Sequence, residues 1–158
     1  MSSAEAAFPV LKAQEGDERG YGDWFEITQE QISAFADCTV DHQFIHIDEE
    51  RAKAETPFGG TIAHGFFTLS MLTHLMQSVP SDTPRLDGVV MGINYGLDRV
   101  RFISPVSRGK RVRAHAVVKS VELKPASVQT VTTITIEIEG GTRPALVADW
   151  VTRTVFDS

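Results

Sequence analysis

The sequence predicts an α+β domain in which an antiparallel sheet wraps around one long helix. Three observations carry that expectation. Helical periodicity is confined to the first half of the chain and strand alternation to the second, the order of a segregated α+β chain. One segment, His64 to Val79, is apolar nearly all round, with Phe66, Phe67, Leu69, Met71, Leu72, Leu75 and Met76; a helix of that kind is buried. Four or five long extended segments follow it. No repeat, low-complexity tract or linker divides the 158 residues, so residues 1–158 read as one domain.

The elements follow in order. Residues 1–20 are weakly patterned and are expected to be loose. Trp24 to Ile27 is a short strand. Thr28-Gln29-Glu30-Gln31 has the shape of a capping box, and the helix behind it, Gln29 to Ala36, puts Ile32, Phe35 and Ala36 on one face. Asp37 to Ile47 reads as irregular and polar. Asp48 caps a second short helix, Glu49 to Glu55, with acids in its first turn. Thr56 to Gly60 is a turn. The main helix, His64 to Val79, stops at Pro80. Val89 to Phe102 is extended and bent near Gly92 and Gly96. After the turn Ser104 to Gly109, the strands Lys110–Leu123 and Val128–Glu139 alternate strictly, and Ala145–Phe156 is the last.

Composition is that of a globular protein, 42% hydrophobic and 23% charged. The net charge of −6 argues against a nucleic-acid or anionic-membrane partner, since both need a basic face. The single cysteine, Cys38, rules out an intrachain disulfide and points to the cytoplasm; Cys38 itself reads as a small buried residue. The N-terminal stretch lacks the basic and apolar regions of a secretory signal.

Three segments carry chemistry. In Asp41-His42-Gln43-Phe44-Ile45-His46 a carboxylate and an imidazole stand five residues apart between helices. That spacing alone fits a turn cap and a structural hydrogen-bond donor at least as well as a catalytic pair. The second segment, Gly59-Gly60-Thr61-Ile62-Ala63-His64-Gly65, is a glycine-bearing approach to a helix start, whose free amides can hold an oxyanion. The third is the strand and turn Arg99-Val100-Arg101-Phe102-Ile103-Ser104-Pro105-Val106, with Gly109 after it. His42, His46 and His64 match no closed zinc spacing, and His64 reads as a packing or supporting residue.

From about Thr28 to Phe156 these segments resemble the MaoC-like dehydratase family, which includes the (R)-specific enoyl-CoA hydratases. Asp41, His46 and Ala52 fall at the spacing of the hydratase motif. Ala63-His64-Gly65-Phe66 matches the family's helix start. Arg101 to Val106 looks like its strand and turn, and Asn94-Tyr95-Gly96 is similar to the nodulation-protein-N-like branch. Val40, Gln43 and Phe44 stand where the motif carries Gly, Asn and Pro, so the loop's backbone route is expected to differ from the family's.

The resemblance implies a hot-dog fold and reversible syn addition of water to a trans-2-enoyl-CoA. It makes Asp41 and His46 the catalytic pair and the Gly65 amide the oxyanion donor. Thr73 and Met76 would line the acyl pocket, and Asn94 and Tyr95 are further substrate-binding candidates. The coenzyme A thioester is then a substrate, and no metal or other cofactor is called for. Lys110, Arg111 and Arg113 could meet its phosphates or simply form a solvated strand face. Exposed sheet edges point to a homodimer. Two rivals remain: a hot-dog thioesterase, disfavoured because His64 to Val79 holds no acid, and a non-catalytic acyl-binding protein.

Overall fold

The computed structural model describes residues 2–157. Six helices and six strands follow in the order α1 (Ser3–Lys12), β1 (Glu18–Tyr21), β2 (Phe25–Glu26), α2 (Gln29–Thr39), α3 (Phe44–Ile47), α4 (Glu49–Glu55), α5 (Gly65–Ser70), α6 (Leu72–Met76), β3 (Val89–Phe102), β4 (Arg111–Lys124), β5 (Ser127–Ile138) and β6 (Leu146–Phe156). One antiparallel sheet runs β1-β4-β5-β6-β3, and β2 also pairs β4.

The strict alternation of β4 and β5 decides which face of the sheet is inside. Val112, Ala114, Ala116, Ile134 and Ile136 are fully buried against Ile32, Phe67, Leu72 and Leu75 of the helices. Every second side chain on a pleated strand takes the same face, so their neighbours look outward. There Arg113 pairs with Glu137 of β5 and Arg111 with Glu139 just past its end. These cross-strand ion pairs lie on the outward face of the sheet. A bulge between Val118 and Ser120 shifts the parity by one. Val121 is therefore buried on the same side as Val118.

The expectation of a loose N-terminus is not met. Ser2 caps α1 in a reciprocal bond with Glu5. Ala4, Ala7 and Leu11 close over Val118, Val121, Val128 and Phe156, forming a second small core. The helical pattern of this stretch is short and holds Pro9, which hid it.

The long central helix is present in two pieces. Ser70 Oγ donates to the Phe67 carbonyl at 2.7 Å, a side-chain bond that competes with the helical ladder and bends it. Met71 stands at the break with ψ −7°. The helix is also not buried all round: Phe66 is 69% exposed. It packs edge-on against Phe102 of β3, itself exposed. Along β3 every residue but Val100 is exposed, and the bend expected near Gly96 is a register shift between Asn94 and Gly96. Cys38, expected inside, is exposed in the last turn of α2, because Ile32 and Ala36 take the buried face.

Candidate active site

The strip Thr61–Gly65 organises the site. Ala63 N–H donates to the Val106 carbonyl (2.8 Å), and Ile62 N–H to the Ile45 carbonyl (3.0 Å). The strip is thus laid between the turn after β3 and the segment that carries Asp41 and His46. It then enters α5 at His64, and no side chain caps the amides of the first turn of α5.

Residues 37–47 are less irregular than the sequence suggests. Helix α2 runs on to Thr39 and ends on Val40 in the left-handed conformation, φ 60° and ψ 27°. Asp41 N–H closes that turn onto the Ala36 carbonyl. Gln43 is extended, with φ −57° and ψ 135°, and Phe44 opens α3. These are the conformations that glycine, a residue preceding proline, and proline at a first helical position would take. The departure expected at Val40, Gln43 and Phe44 is therefore one of side chain and not of backbone route.

His46 is 6% exposed. Its Nδ1 is 2.7 Å from the Ile62 carbonyl oxygen. A carbonyl only accepts, so Nδ1 carries the proton and Nε2 keeps its lone pair when the ring is neutral. Burial lowers the pKa of His46 below its ordinary value; the Ile62 carbonyl pulls upward, His64 lowers it further, and Asp41 raises it. The imidazole is held as a neutral base.

His64 ties the pair together. Its ring stacks on His46 at 3.7 Å with planes 23° apart. Its Nε2 donates to the Asp41 carbonyl oxygen at 3.0 Å and lies 4.0 Å from the Asp41 carboxylate. Its Nδ1 is buried and has no partner among the described residues. One ligand atom each from Asp41, His46 and His64 can be chosen within 4.8 Å of one another. Stacked rings point their in-plane lone pairs side by side, however, and a tetrahedral metal site needs them convergent. His42, the third histidine weighed from sequence, turns away to bond Asp37. The cluster suits proton handling better than metal binding.

A cavity of about 320 Å³ opens in front of His46. Gly65 and Thr68 of α5, Ile45, Ile62 and the turn Phe102–Val106 complete its walls. A Cβ at Gly65 would lie 2.9 Å from Cδ1 of Phe102. Glycine is what lets Phe102 cover the helix start. The lining is mostly apolar, with His46 as its ionisable group, the makeup of a small-molecule pocket.

The other candidates lie elsewhere. Thr73 and Asn94 face each other 3.5 Å apart in a neighbouring cavity of about 310 Å³ that also holds Phe66, Leu97 and Trp150. Tyr95, one residue along β3, stacks on Arg153 with its charge centre 3.6 Å from the ring, and lines neither cavity. Met76 is half-buried and packs on the main core. The structure puts His46 and Gly65 in one cavity and Asp41 within 4.8 Å of His46 and His64 but outside the cavity lining, sets Thr73 and Asn94 next door, and separates Tyr95 and Met76 from both cavities. Sequence reasoning missed Phe102 and Thr68 as pocket walls. Thr68 was within reach, three residues after Gly65 and so on the same side of α5. The Ile62 carbonyl leaves no sequence signal at all.

An antiparallel sheet wrapped on a central helix, with an Asp/His pair beside a glycine helix start, defines a hot-dog protein of the hydratase and dehydratase class. The chain belongs to the MaoC-like dehydratase family: the family described as MaoC like domain matches residues 11–139. It is 50% identical over 154 residues to nodulation protein N of Rhizobium leguminosarum bv. viciae, covering 97% of this chain and 94% of that one. It is 47% identical over 146 residues to 3-hydroxyacyl-thioester dehydratase Z of Mycobacterium tuberculosis, covering 92% and 93%. Among solved structures it is similar to the (R)-hydratase from A. caviae, with a TM-score of 0.67, 23% identity, and coverage of 87% and 94%.

Proposed function

We propose that this protein is an (R)-specific enoyl-CoA hydratase, working reversibly as a 3-hydroxyacyl-CoA dehydratase. The observation that carries the reading is the neutral, Nδ1-anchored His46 beside Asp41, at the mouth of an apolar cavity that ends on the Gly65 helix start. The 47% identity to a 3-hydroxyacyl-thioester dehydratase supports the reaction class.

Asp41 and His46 hold one water between them. His46 Nε2 takes a proton as the water oxygen bonds to C3 of the enoyl thioester. The C2–C3 π electrons move onto the thioester oxygen, which the Gly65 N–H stabilises. The imidazolium then returns its proton to C2 on the same face, and the product is the 3-hydroxyacyl thioester. Every proton moved belongs to water or His46, so the reading calls for no metal and no redox cofactor.

With crotonyl-CoA, the enoyl absorbance should fall without release of free thiol. Released thiol would indicate the thioesterase instead, and no reaction the acyl-binding protein. Asp41→Asn and His46→Ala should each lower turnover by ~10²–10⁴, the usual worth of general acid–base groups, with the fold intact. Near-normal turnover in either would overturn the assignment.

We further propose that the protein is a homodimer joined along β3. Val89, Val90, Met91, Ile93, Tyr95, Leu97 and Phe102 are all exposed on this edge strand, and an unprotected apolar edge is a template for pairing. A monomer by light scattering at micromolar concentration would refute this. No helix among the described residues is long and apolar enough to cross a membrane. The exposed Cys38 fits the reducing cytoplasm, where we place the protein.

A further inference from the structure

We propose that Glu49, Thr61 and Gln29 form a clamp behind His46 that holds its ring orientation and tautomer, which makes them positioning residues for the hydration chemistry. The proposal rests on the hydratase reading only for its kinetic consequence; the geometry stands by itself.

His46 is gripped at two points, one on its ring and one on its backbone. Its Nδ1–H donates to the Ile62 carbonyl (2.7 Å), and its own backbone carbonyl accepts from Gln29 Nε2 (2.8 Å). Both grips lead back to Thr61, which is fully buried. Thr61 precedes Ile62 and fixes the peptide that enters it, one Cα before the Ile62–Ala63 peptide whose carbonyl accepts from His46 and whose N–H is held by Val106. Its Oγ1–H reaches Gln29 Oε1 at 2.5 Å. That bond fixes the Gln29 amide with oxygen toward Thr61 and nitrogen toward His46.

Thr61 is anchored in turn by Glu49. One carboxylate oxygen accepts from Thr61 N–H at 3.0 Å and lies 3.1 Å from Thr61 Oγ1. The other oxygen takes Arg108 Nη2 at 2.9 Å and Lys53 Nζ at 3.1 Å. Two cations and the Thr61 N–H around one carboxylate hold it ionised, with the pKa lowered to about 2, chiefly by Arg108. Gly60 makes room for it: a Cβ there would meet both carboxylate oxygens at 3.0–3.1 Å. A buried threonine bonded to an ionised carboxylate is more than packing requires, since burying polar groups costs free energy unless each is matched. The whole set lies on the far side of the strip from the His46 cavity and lines a separate polar cavity of about 440 Å³. None of the three side chains touches the substrate cavity, so their effect must pass through His46.

The test uses Thr61→Val, which keeps the shape and removes Oγ1, with Thr61→Ser as rescue. Gln29→Met, on half-exposed α2, removes the carbonyl grip alone. The ring nitrogens of His46 are followed by imidazole NMR, with crotonyl-CoA hydration measured alongside. In the wild type, His46 should sit in one tautomer with Nδ1 protonated. In Thr61→Val and Gln29→Met it should become a mixture. Turnover should fall on the order of tenfold, since small misplacements of reacting groups are costly, while KM moves by less than about twofold, because these side chains lie outside the substrate cavity. Thr61→Ser should restore both. A single unchanged tautomer with unchanged turnover in Gln29→Met or in folded Thr61→Val would overturn the clamp. So would loss of both properties in folded Thr61→Ser. If the wild type hydrates no enoyl thioester, the functional reading fails, and the tautomer ratio still decides the clamp.

Discussion

Val40 holds a backbone conformation that suits glycine, and replacing it should make the protein more stable. Its φ of 60° and ψ of 27° place a β-branched residue in the left-handed region, where the Cβ crowds the carbonyl oxygen at a cost of about 1–2 kcal/mol. A branched side chain belongs near the upper end of that range. Val40→Gly removes the strain. Against this, glycine gives the unfolded chain more freedom, worth roughly 0.5–1 kcal/mol. Val40 is 78% exposed, so its side chain loses little burial, on the order of 0.4 kcal/mol. The net expectation is a gain of about 1 kcal/mol and a Tm higher by about 2–4 °C for a chain of this length. Urea unfolding followed by circular dichroism measures it. Turnover on crotonyl-CoA should stay within about twofold of wild type, because Asp41 remains held by its own N–H to Ala36 and by His64 at its carbonyl. A lower unfolding midpoint with an unchanged slope would refute the strain argument. A large loss of turnover would show that the rigidity of Val40, and not those two bonds, aims Asp41.

Two further predictions follow from the site. Because burial lowers the pKa of His46 from 6.5, the unfolded chain binds that proton first on acidification. This contribution to stability is therefore complete above pH 6.5 and declines as pH falls below it; the acid limb of kcat/KM should likewise lie below 6.5, and an acid limb at or above 6.5 would contradict the buried neutral base. Gly65→Ala should fold, since only the half-exposed Phe102 ring must move, but turnover should drop on the order of tenfold or more as the methyl crowds the approach to the helix-start amide; wild-type turnover would remove Gly65 from the oxyanion role.

Much of the architecture was legible because it rests on local rules. Alternation in β5, and in β4 as far as Val118, sorted the side chains onto two faces, and the Thr28 and Asp48 caps gave the starts of α2 and α4. What was not legible depends on contacts distant in sequence. Helix α1 draws its stability from Val118, Val128 and Phe156, so its own pattern is weak. The break at Met71 follows from a single serine rotamer. Tyr95 and Asn94 could not be sorted without the register of β3, where a bulge intervenes between Asn94 and Gly96. Asp41 and His46 were named as the candidate pair from a resemblance, and their spacing alone could not have named them. The sequence also has no way to show that a backbone carbonyl, that of Ile62, selects the His46 tautomer.

That last point changes where the site is built. Asp41 and His46 come from a segment whose side chains differ from the family pattern at three positions, which would suggest a damaged motif. Yet each group is fixed by the strip that precedes α5: Asp41 at its carbonyl by His64, the His46 ring by the Ile62 carbonyl and by stacking on His64, and the helix-start amide by Gly65 in the same strip. The strip is itself pinned by bonds to Val106 and Ile45. A proposed catalytic pair referenced to an external frame can tolerate Val40, Gln43 and Phe44 so long as the backbone path is kept, and the observed dihedral angles keep it. Substitutions in the strip should therefore harm the proposed hydration more than equally conservative substitutions in the loop that carries Asp41 and His46.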